Sequence, residues 1–260
     1  MTEILSQYDP IYLEEMSGIK LMNRTDTKFV TNRRRLEQLL EMAQTNYRVQ
    51  EIDGRRTATY YTVYFDTDAR DMFLTHHNGI LNRQKLRIRS YVDSGLSFLE
   101  VKTKNNHRRT RKRRISIDDF DPNRPRYDIS FAPGSPDELL FGDFLGNNLR
   151  YNKATVSQQL ENRFSRITLV NRKMTERLTI DSSLALRNLR TGNTKTLDEL
   201  VIIELKRDGL TESPVLEMLR QLRIHPLGFS KYCMGTAMTD LGIKQNRFKS
   251  RIRDIEKILR

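Results

Sequence analysis

Five consecutive residues, Lys85-Leu86-Arg87-Ile88-Arg89, alternate charge with apolar bulk. Successive side chains of a β-strand point to opposite faces, so residues 85, 87 and 89 share one face while Leu86 and Ile88 share the other. The pattern recurs. Glu100, Lys102 and Lys104 stand opposite Leu99 and Val101, Arg177 and Asp181 opposite Leu178 and Ile180, and Glu204 and Lys206 opposite Ile203 and Leu205. One such strand is an ordinary half-exposed strand whose polar face meets water. Four of them, in a chain that also carries several amphipathic helices, predict a barrel turned inside out: helices cover its apolar exterior and the charges line its lumen. Like charges crowded in a lumen repel and are costly to desolvate. They call for a ligand of opposite sign, and a triphosphate or polyphosphate supplies it.

Period-two signals mark strands at 59–66, 83–92, 96–104, 111–118, 155–163, 175–181 and 199–206, with another near Lys28. The expected fold is therefore α+β, a closed or nearly closed antiparallel β-barrel with a charged lumen and helices packed outside. Thr31 or Asn32 caps a helix bearing Leu36, Leu39, Leu40 and Ala43, and Ser135-Pro136 opens one bearing Leu139, Leu140 and Phe144. Ser213-Pro214 opens a third with Val215, Leu216, Leu219 and Leu222 on one side, Ser230 precedes a helix over 231–240, and 246–260 places Phe248, Ile252, Ile255 and Leu259 on one face. Asn78-Gly79 reads as a tight hairpin turn, Asp66-Thr67-Asp68 as a turn, and the Pro-rich stretch 121–136 as a long loop. The expected division is an N-terminal helical segment at 1–23, a tunnel domain at 24–240 and a C-terminal amphipathic helix at 241–260.

Charge narrows the partner. Lys and Arg number 46 against 33 Asp and Glu, a net +13 over 260 residues, which predicts a polyanion. Nucleic acid, an anionic membrane and soluble polyphosphate all meet that requirement. Between Arg83 and Arg114 there are twelve Lys or Arg and two acids, Asp93 and Glu100. Because Ile115 and Ile117 fix the parity, Lys112 and Arg114 point into the lumen and Arg113 outward, while the hairpin tip is exposed. Readers of single-stranded nucleic acid interleave basic residues with stacking aromatics. Here Tyr60, Tyr64 and Phe65 precede the basic cluster within a strand and read as core, so no specific nucleic acid is expected. The single cysteine, Cys233, excludes a disulfide framework and a multi-cysteine zinc site. With no signal-peptide pattern and no long apolar run, the expectation is a cytoplasmic chain without a membrane span. His76, His77, His107 and His225 form no metal-ligand spacing and read as loop or surface residues.

Eight short pieces occur in order: Arg24-x-Asp26-x-Lys28-Phe29; Tyr64-Phe65-Asp66-Thr67; His77-Asn78-Gly79; Asn82-Arg83-x-Lys85-x-Arg87-x-Arg89-x-Tyr91; Phe98-Leu99-Glu100-Val101-Lys102-x-Lys104; Arg177-Leu178-Thr179-Ile180-Asp181; Ile203-Glu204-Leu205-Lys206; and Phe229-Ser230-Lys231-Tyr232. Together they resemble the VTC domain, the polyphosphate polymerase branch of the triphosphate tunnel metalloenzymes, or CYTH-like fold. The resemblance implies a tunnel barrel that binds ATP and inorganic polyphosphate with Mn²⁺ or Mg²⁺, and it leaves room for a partner subunit in a membrane complex. It implies Lys28, Arg87, Arg89, Lys102, Arg177 and Lys231 as the catalytic set, with Arg163 and Ser230 as further phosphate contacts. Arg24, Lys85, Lys104, Lys112, Arg114 and Lys206 complete the candidate phosphate-binding residues. Glu204 is the implied metal ligand and Glu100 a second candidate, although Glu204 two residues before Lys206 also fits a plain internal ion pair. The triphosphatase branch carries acid-x-acid-x-Lys at its start. Here Arg24 replaces the first acid and only Asp26 remains, which favours transfer to polyphosphate over two-metal hydrolysis. A triphosphate hydrolase of the same fold and a non-catalytic polyphosphate- or nucleic-acid-binding module are the alternatives.

Overall fold

The computed structural model describes residues 1–16, 24–107, 109–209 and 211–259, with the side chain of Arg24 outside the description. In chain order the elements are α1 (Thr2–Ser6), β1 (Pro10–Ile11), α2 (Leu13–Met16), β2 (Arg24–Asn32), α3 (Arg33–Ala43), β3 (Tyr47–Gln50), β4 (Ala58–Thr67), α4 (Asp71–His77), β5 (Arg83–Tyr91), β6 (Leu96–Lys104) and β7 (Thr110–Ile117). Then follow α5 (Pro136–Asn148), β8 (Val156–Asn171), β9 (Glu176–Asn188), β10 (Thr194–Leu197), β11 (Leu200–Asp208), α6 (Pro214–Gln221), α7 (Lys231–Thr239) and α8 (Lys249–Ile258). Polar caps start three of the helices. The side chains of Asn32, Ser135 and Ser230 accept from the backbone N–H three residues on, at 3.0, 3.2 and 3.2 Å.

One sheet holds every strand, in the order β2-β11-β9-β8-β4-β5-β6-β7, with β3 and β10 attached to β8 and β9 and β1 attached to β3. All pairings along the main path are antiparallel. The path ends on β2 and β7, which do not pair among the described residues, so of the closed or nearly closed barrel expected, full closure is not reached and the sheet is open between these two strands. The edge of β2 that closure would use is already taken. Leu227 N donates to Lys28 O at 2.9 Å and Phe29 bridges Pro226, so the chain leading into α7 lies along that edge. On the other side β7 is an edge strand, solvent-exposed from end to end apart from Ile117.

Two cores cover the outer face. Under α1, α3 and α6 lie Phe29, Ile167, Leu169, Leu178, Ile180, Ile203 and Leu205 packed on Leu36, Leu39 and Leu40. Under α5 and the loop before it lie Val63, Phe65, Leu86, Ile88, Leu99 and Val101 packed on Phe120, Phe131 and Phe141. These are the apolar partners of the alternating charges, as the strand parity predicts. The third core departs from expectation. Val30, Leu160, Phe164, Leu184, Leu186, Leu200 and Ile202 sit on the inner face and pack on Tyr232, Met234 and Ala237 of α7 and on Phe248 and Ile255. The last two helices therefore fill part of the concave side instead of dressing the outside. Gly235 permits this approach, since a Cβ there would come within 2.7 Å of Leu160 Cδ2 and 3.0 Å of Leu186 Cδ2.

The link from β4 to β5 is also different. Asn78-Gly79 ends helix α4 rather than turning a hairpin. Gly79 has φ +78°, its N–H donates to His76 O, and Ile80 N donates to Thr75 O, the paired bonds of a glycine-terminated helix. Buried Asp66 starts the same helix by accepting from Met72 N and Phe73 N at 2.9 and 2.8 Å. No helix among the described residues is long and apolar enough to cross a membrane.

Candidate functional site

The inner face of β5 presents Lys85, Arg87 and Arg89, and the antiparallel register sets Lys102, Glu100 and Phe98 of β6 opposite them. The next strand continues the row, with Lys112 opposite Lys102 and Arg114 opposite Glu100. Glu100 is buried and grips its neighbours: Arg87 donates through Nε and Nη2 to Oε2 at 2.8 and 2.6 Å, and Lys112 Nζ lies 3.2 Å from Oε1. Burial alone would raise the Glu100 carboxyl, but Arg87, Arg89 and Lys112 outweigh it and hold it down at about 2. A fixed carboxylate thus aims the Arg87 guanidinium.

A second carboxylate does the same across the lumen. Arg166 of β8 makes a bidentate pair with Asp181 of β9 at 2.6 and 2.8 Å, and Lys231 at the start of α7 closes on the same carboxylate. Lys231 Nζ also lies 4.1 Å from the Phe164 ring centroid. On β2 and β11, Glu204 pairs with Lys206 and lies 3.8 Å from Lys28, whose Nζ donates to Phe229 O at 3.1 Å. Lys85 Nζ donates to Ser230 Oγ at 2.8 Å. The segment 229–231 therefore receives a cation from β2 and one from β5 and sends one to β9, so the sheet curls around the N-terminus of α7.

Positive charge exceeds what these acids offset. Arg89 leaves its Nε buried without a hydrogen-bond partner among the described residues, and its Cζ lies 5.6 Å from the Tyr60 ring centroid. Burial, then the repulsion of Arg87 and Arg166, lowers its guanidinium to about 10. Solvent reaches Lys102, yet surrounding protein and the charges of Arg87, Lys28 and Lys85 bring its ammonium down to about 7. Lys231 falls to about 8, chiefly through burial. Buried Tyr64, stacked on Tyr232 at 5.3 Å, shows the same field from the opposite sign: burial raises its phenol, but Arg87, Arg89, Lys85 and Lys231 draw it down to about 8. A cluster in which cations lose protons and a phenol loses its own more readily is short of negative charge.

The VTC domain family model matches residues 23–239. The chain belongs to the VTC domain family. No curated protein matches it. Among solved structures it is similar to a putative adenylyl cyclase from Hippeastrum, described as having a dominant triphosphatase activity, at 17% identity and TM-score 0.48 over 85% of this chain and 98% of that one. A putative adenylate cyclase from Bacillus halodurans is similar at 13% identity and TM-score 0.47, over 80% of this chain and 96% of that one.

Within this VTC domain, the strands and α7 bring Lys28, Lys85, Arg87, Arg89, Glu100, Lys102, Arg177, Glu204, Lys206, Ser230 and Lys231 to one inner face. Lys104, Lys112 and Arg114 lie on the same face toward the exposed edge, where Arg114 stacks 4.4 Å from the Phe98 centroid. Arg24 lies outside the described side chains. Arg163 is not part of the cluster. Its Nη2 donates to Pro122 O at 2.7 Å on the outer face, and the cation that β8 contributes is Arg166. The strand runs on to Asn171, and the continuing alternation of Phe164, Arg166 and Thr168 with Ser165, Ile167 and Leu169 was the signal that would have found it. Asp181 was legible as an inward charge, whereas its role as anchor for Arg166 and Lys231 needed the fold.

The histidines reading changes for two residues, since His76 and His77 lie on α4, and His77 is buried with its Nε2 accepting from Arg247 N at 3.4 Å. Among the described residues no group of three or more His, Cys, Asp or Glu could hold a metal by itself. Both oxygens of Glu100 are engaged by cations, and those of Glu204 face Lys206 at Oε2 and Lys28 at 3.8 Å from Oε1; what sets Glu204 apart is that a fifth of its side chain is exposed to the lumen, where Glu100 is buried. Burial raises the Glu204 carboxyl, but Lys28 and Lys206 hold it well below the usual range, so it is ionised and fits a hard divalent cation that takes its remaining ligands from phosphate oxygens and water.

Proposed function

We propose that this VTC domain is a metal-dependent phosphotransferase that moves the γ-phosphate of ATP onto a growing inorganic polyphosphate chain. The observation that carries the reading is the pair of buried carboxylates that aim arginines into one lumen, while the Nε of Arg89 has no hydrogen-bond partner among the described residues and Lys102 is crowded by like charges. Phosphoryl transfer through a loose transition state asks a protein for alignment and for charge on the moving group. Arg87 and Arg166 supply planar, fixed donors, and Lys28, Lys102 and Lys231 supply point charges. A terminal phosphate acceptor is already ionised, so no general base is required.

Glu204 is the residue we assign to Mn²⁺ or Mg²⁺, and the ion when bound would neutralise phosphate charge between donor and acceptor. Arg177 and Lys206, paired across β9 and β11, extend the cationic wall. Incubating the protein with ATP and Mn²⁺ and resolving products by gel tests the reading: chains longer than the nucleotide's own triphosphate are expected. ADP and free phosphate without chains would favour the hydrolase, and binding of polyphosphate without turnover would favour a non-catalytic module.

A further inference from the structure

The basic row does not end at Lys85. Arg83 stands two residues away on the same face of β5, opposite Lys104, and its guanidinium donates to Ile80 O at 2.7 Å. From Arg83 to Arg89 is six residues, about 20 Å of strand, a run of cations longer than three linked phosphates can engage at once. The C-terminal end of α4 meets Arg247 and Phe248, the two residues that lead into α8, at this end. His76 of α4 packs edge-on to Phe248, 6.4 Å between centroids, and its Nδ1 is buried without a hydrogen-bond partner among the described residues. Burial first, and then the positive potential of Lys85 and Arg83 on β5, Arg251 on α8 and Lys28 on β2, keep the imidazole neutral.

A buried ring nitrogen without a partner is costly. In a positive potential, the partner that suits it is an oxyanion, to which a neutral imidazole donates from Nδ1. Arg251 and α8 lie beyond the residues 23–239 that the family model covers, so this corner is furnished in part by the chain's own C-terminal helix.

We propose that Arg83, His76 and Arg251 form a distal phosphate subsite, one that takes the units of a polyphosphate chain lying beyond those held by Arg87, Arg89 and Lys231. The inference rests on the function proposed above and adds a preference: long chains bind more tightly than tripolyphosphate because they alone reach the subsite. Calorimetry on the full chain with tripolyphosphate and with long-chain polyphosphate tests it in wild type, Arg251→Gln and His76→Phe. The ratio of the two affinities should fall about tenfold in each variant, the loss of one hydrogen bond to a charged group. An unchanged ratio would overturn the subsite. Should α8 loosen in Arg251→Gln, seen as a lowered melting temperature, Arg83→Gln on the rigid strand repeats the measurement with the same two outcomes. Failure of wild type to bind either polyanion would instead overturn the proposed function, so the two failures are distinct.

Discussion

Two halves of one inner face behave in opposite ways. Along β11, Leu200 and Ile202 give way to Glu204 and Lys206; along β2, Val30 gives way to Lys28; along β9, Leu186 and Leu184 give way to Asp181 and Arg177. The strands and the face are the same, and only the cover differs. Helices α7 and α8 pack on the apolar half, while the charged half meets the N-terminus of α7 through Ser230 and Lys231. Helix α7 spans the boundary, with Tyr232 and Met234 in the core and Ser230 and Lys231 on the charges. On β9 the change coincides with a bulge at Ser183, φ 53°, which keeps Leu184 and Asp181 on one face despite their odd separation. The lesson is that parity assigns a residue to a face, and the segment lying against that face decides whether it is core or site.

The largest effect expected from this division comes from Arg89→Ala. Turnover should fall at least about a hundredfold, as for loss of one transition-state donor. Stability should hold or rise, because a buried cation crowded by Arg87 and Arg166 is removed. Arg87→Ala should lose as much turnover but also melt lower, on the order of 3 kcal/mol, since it strips Glu100 of its main partner. Ile202→Ala, on the other half of the same face, should cost about 2–4 kcal/mol and leave the turnover of folded molecules near wild type. Thermal melts and initial rates on all three check the comparison. Arg89→Ala that melts well below wild type, or Ile202→Ala that is stable and inactive, would break it.

A next step down is Glu204→Gln. If Glu204 recruits the cation, activation by Mn²⁺ should be lost, with turnover down on the order of a hundredfold. Metal-free polyphosphate binding should persist or tighten, because Lys28 and Lys206 are released from a competing carboxylate. If Glu204 is only an internal partner of Lys206, the variant melts lower and its metal titration is unchanged. A Mn²⁺ titration of rate beside a polyphosphate isotherm separates these outcomes.

Much of this was legible locally. The alternation in 85–89 and 98–104 gave strands and faces, Ile115 and Ile117 gave the inward parity of Lys112 and Arg114, and the caps at Asn32, Ser135 and Ser230 needed only neighbours in sequence. What failed depended on distant chain. Closure was lost because residues 226–229 occupy the β2 edge, a contact about 200 positions away in sequence that no period reports. Asn78-Gly79 serves a hairpin and a helix end equally well, and buried Asp66, by starting α4, decided between them. The apolar stripe of α8 announced burial without saying against which face.

The smallest expected effect is a pH dependence that reverses on binding. With its ammonium near 7, well below the ordinary lysine value, Lys102 is neutral in the folded protein but protonated in the unfolded chain between about pH 7 and 10. In that window the unfolded state binds more protons, so stability in the absence of ligand should rise with pH. Lys231, near 8, adds in the same direction over a narrower window. A bound polyphosphate restores the missing negative charge, raises both ammonium groups and favours the protonated form, so affinity for long-chain polyphosphate should fall as pH rises from 6 to 9, by at most about tenfold per unit for one proton. Interior phosphates of a long chain stay ionised throughout, which leaves the protein as the source of the trend. Lys102→Arg, whose guanidinium keeps its proton, should flatten most of the fall. Melts and isotherms at three pH values check both signs, and an affinity independent of pH in wild type would mean that Lys102 is not short of negative charge and does not face the ligand.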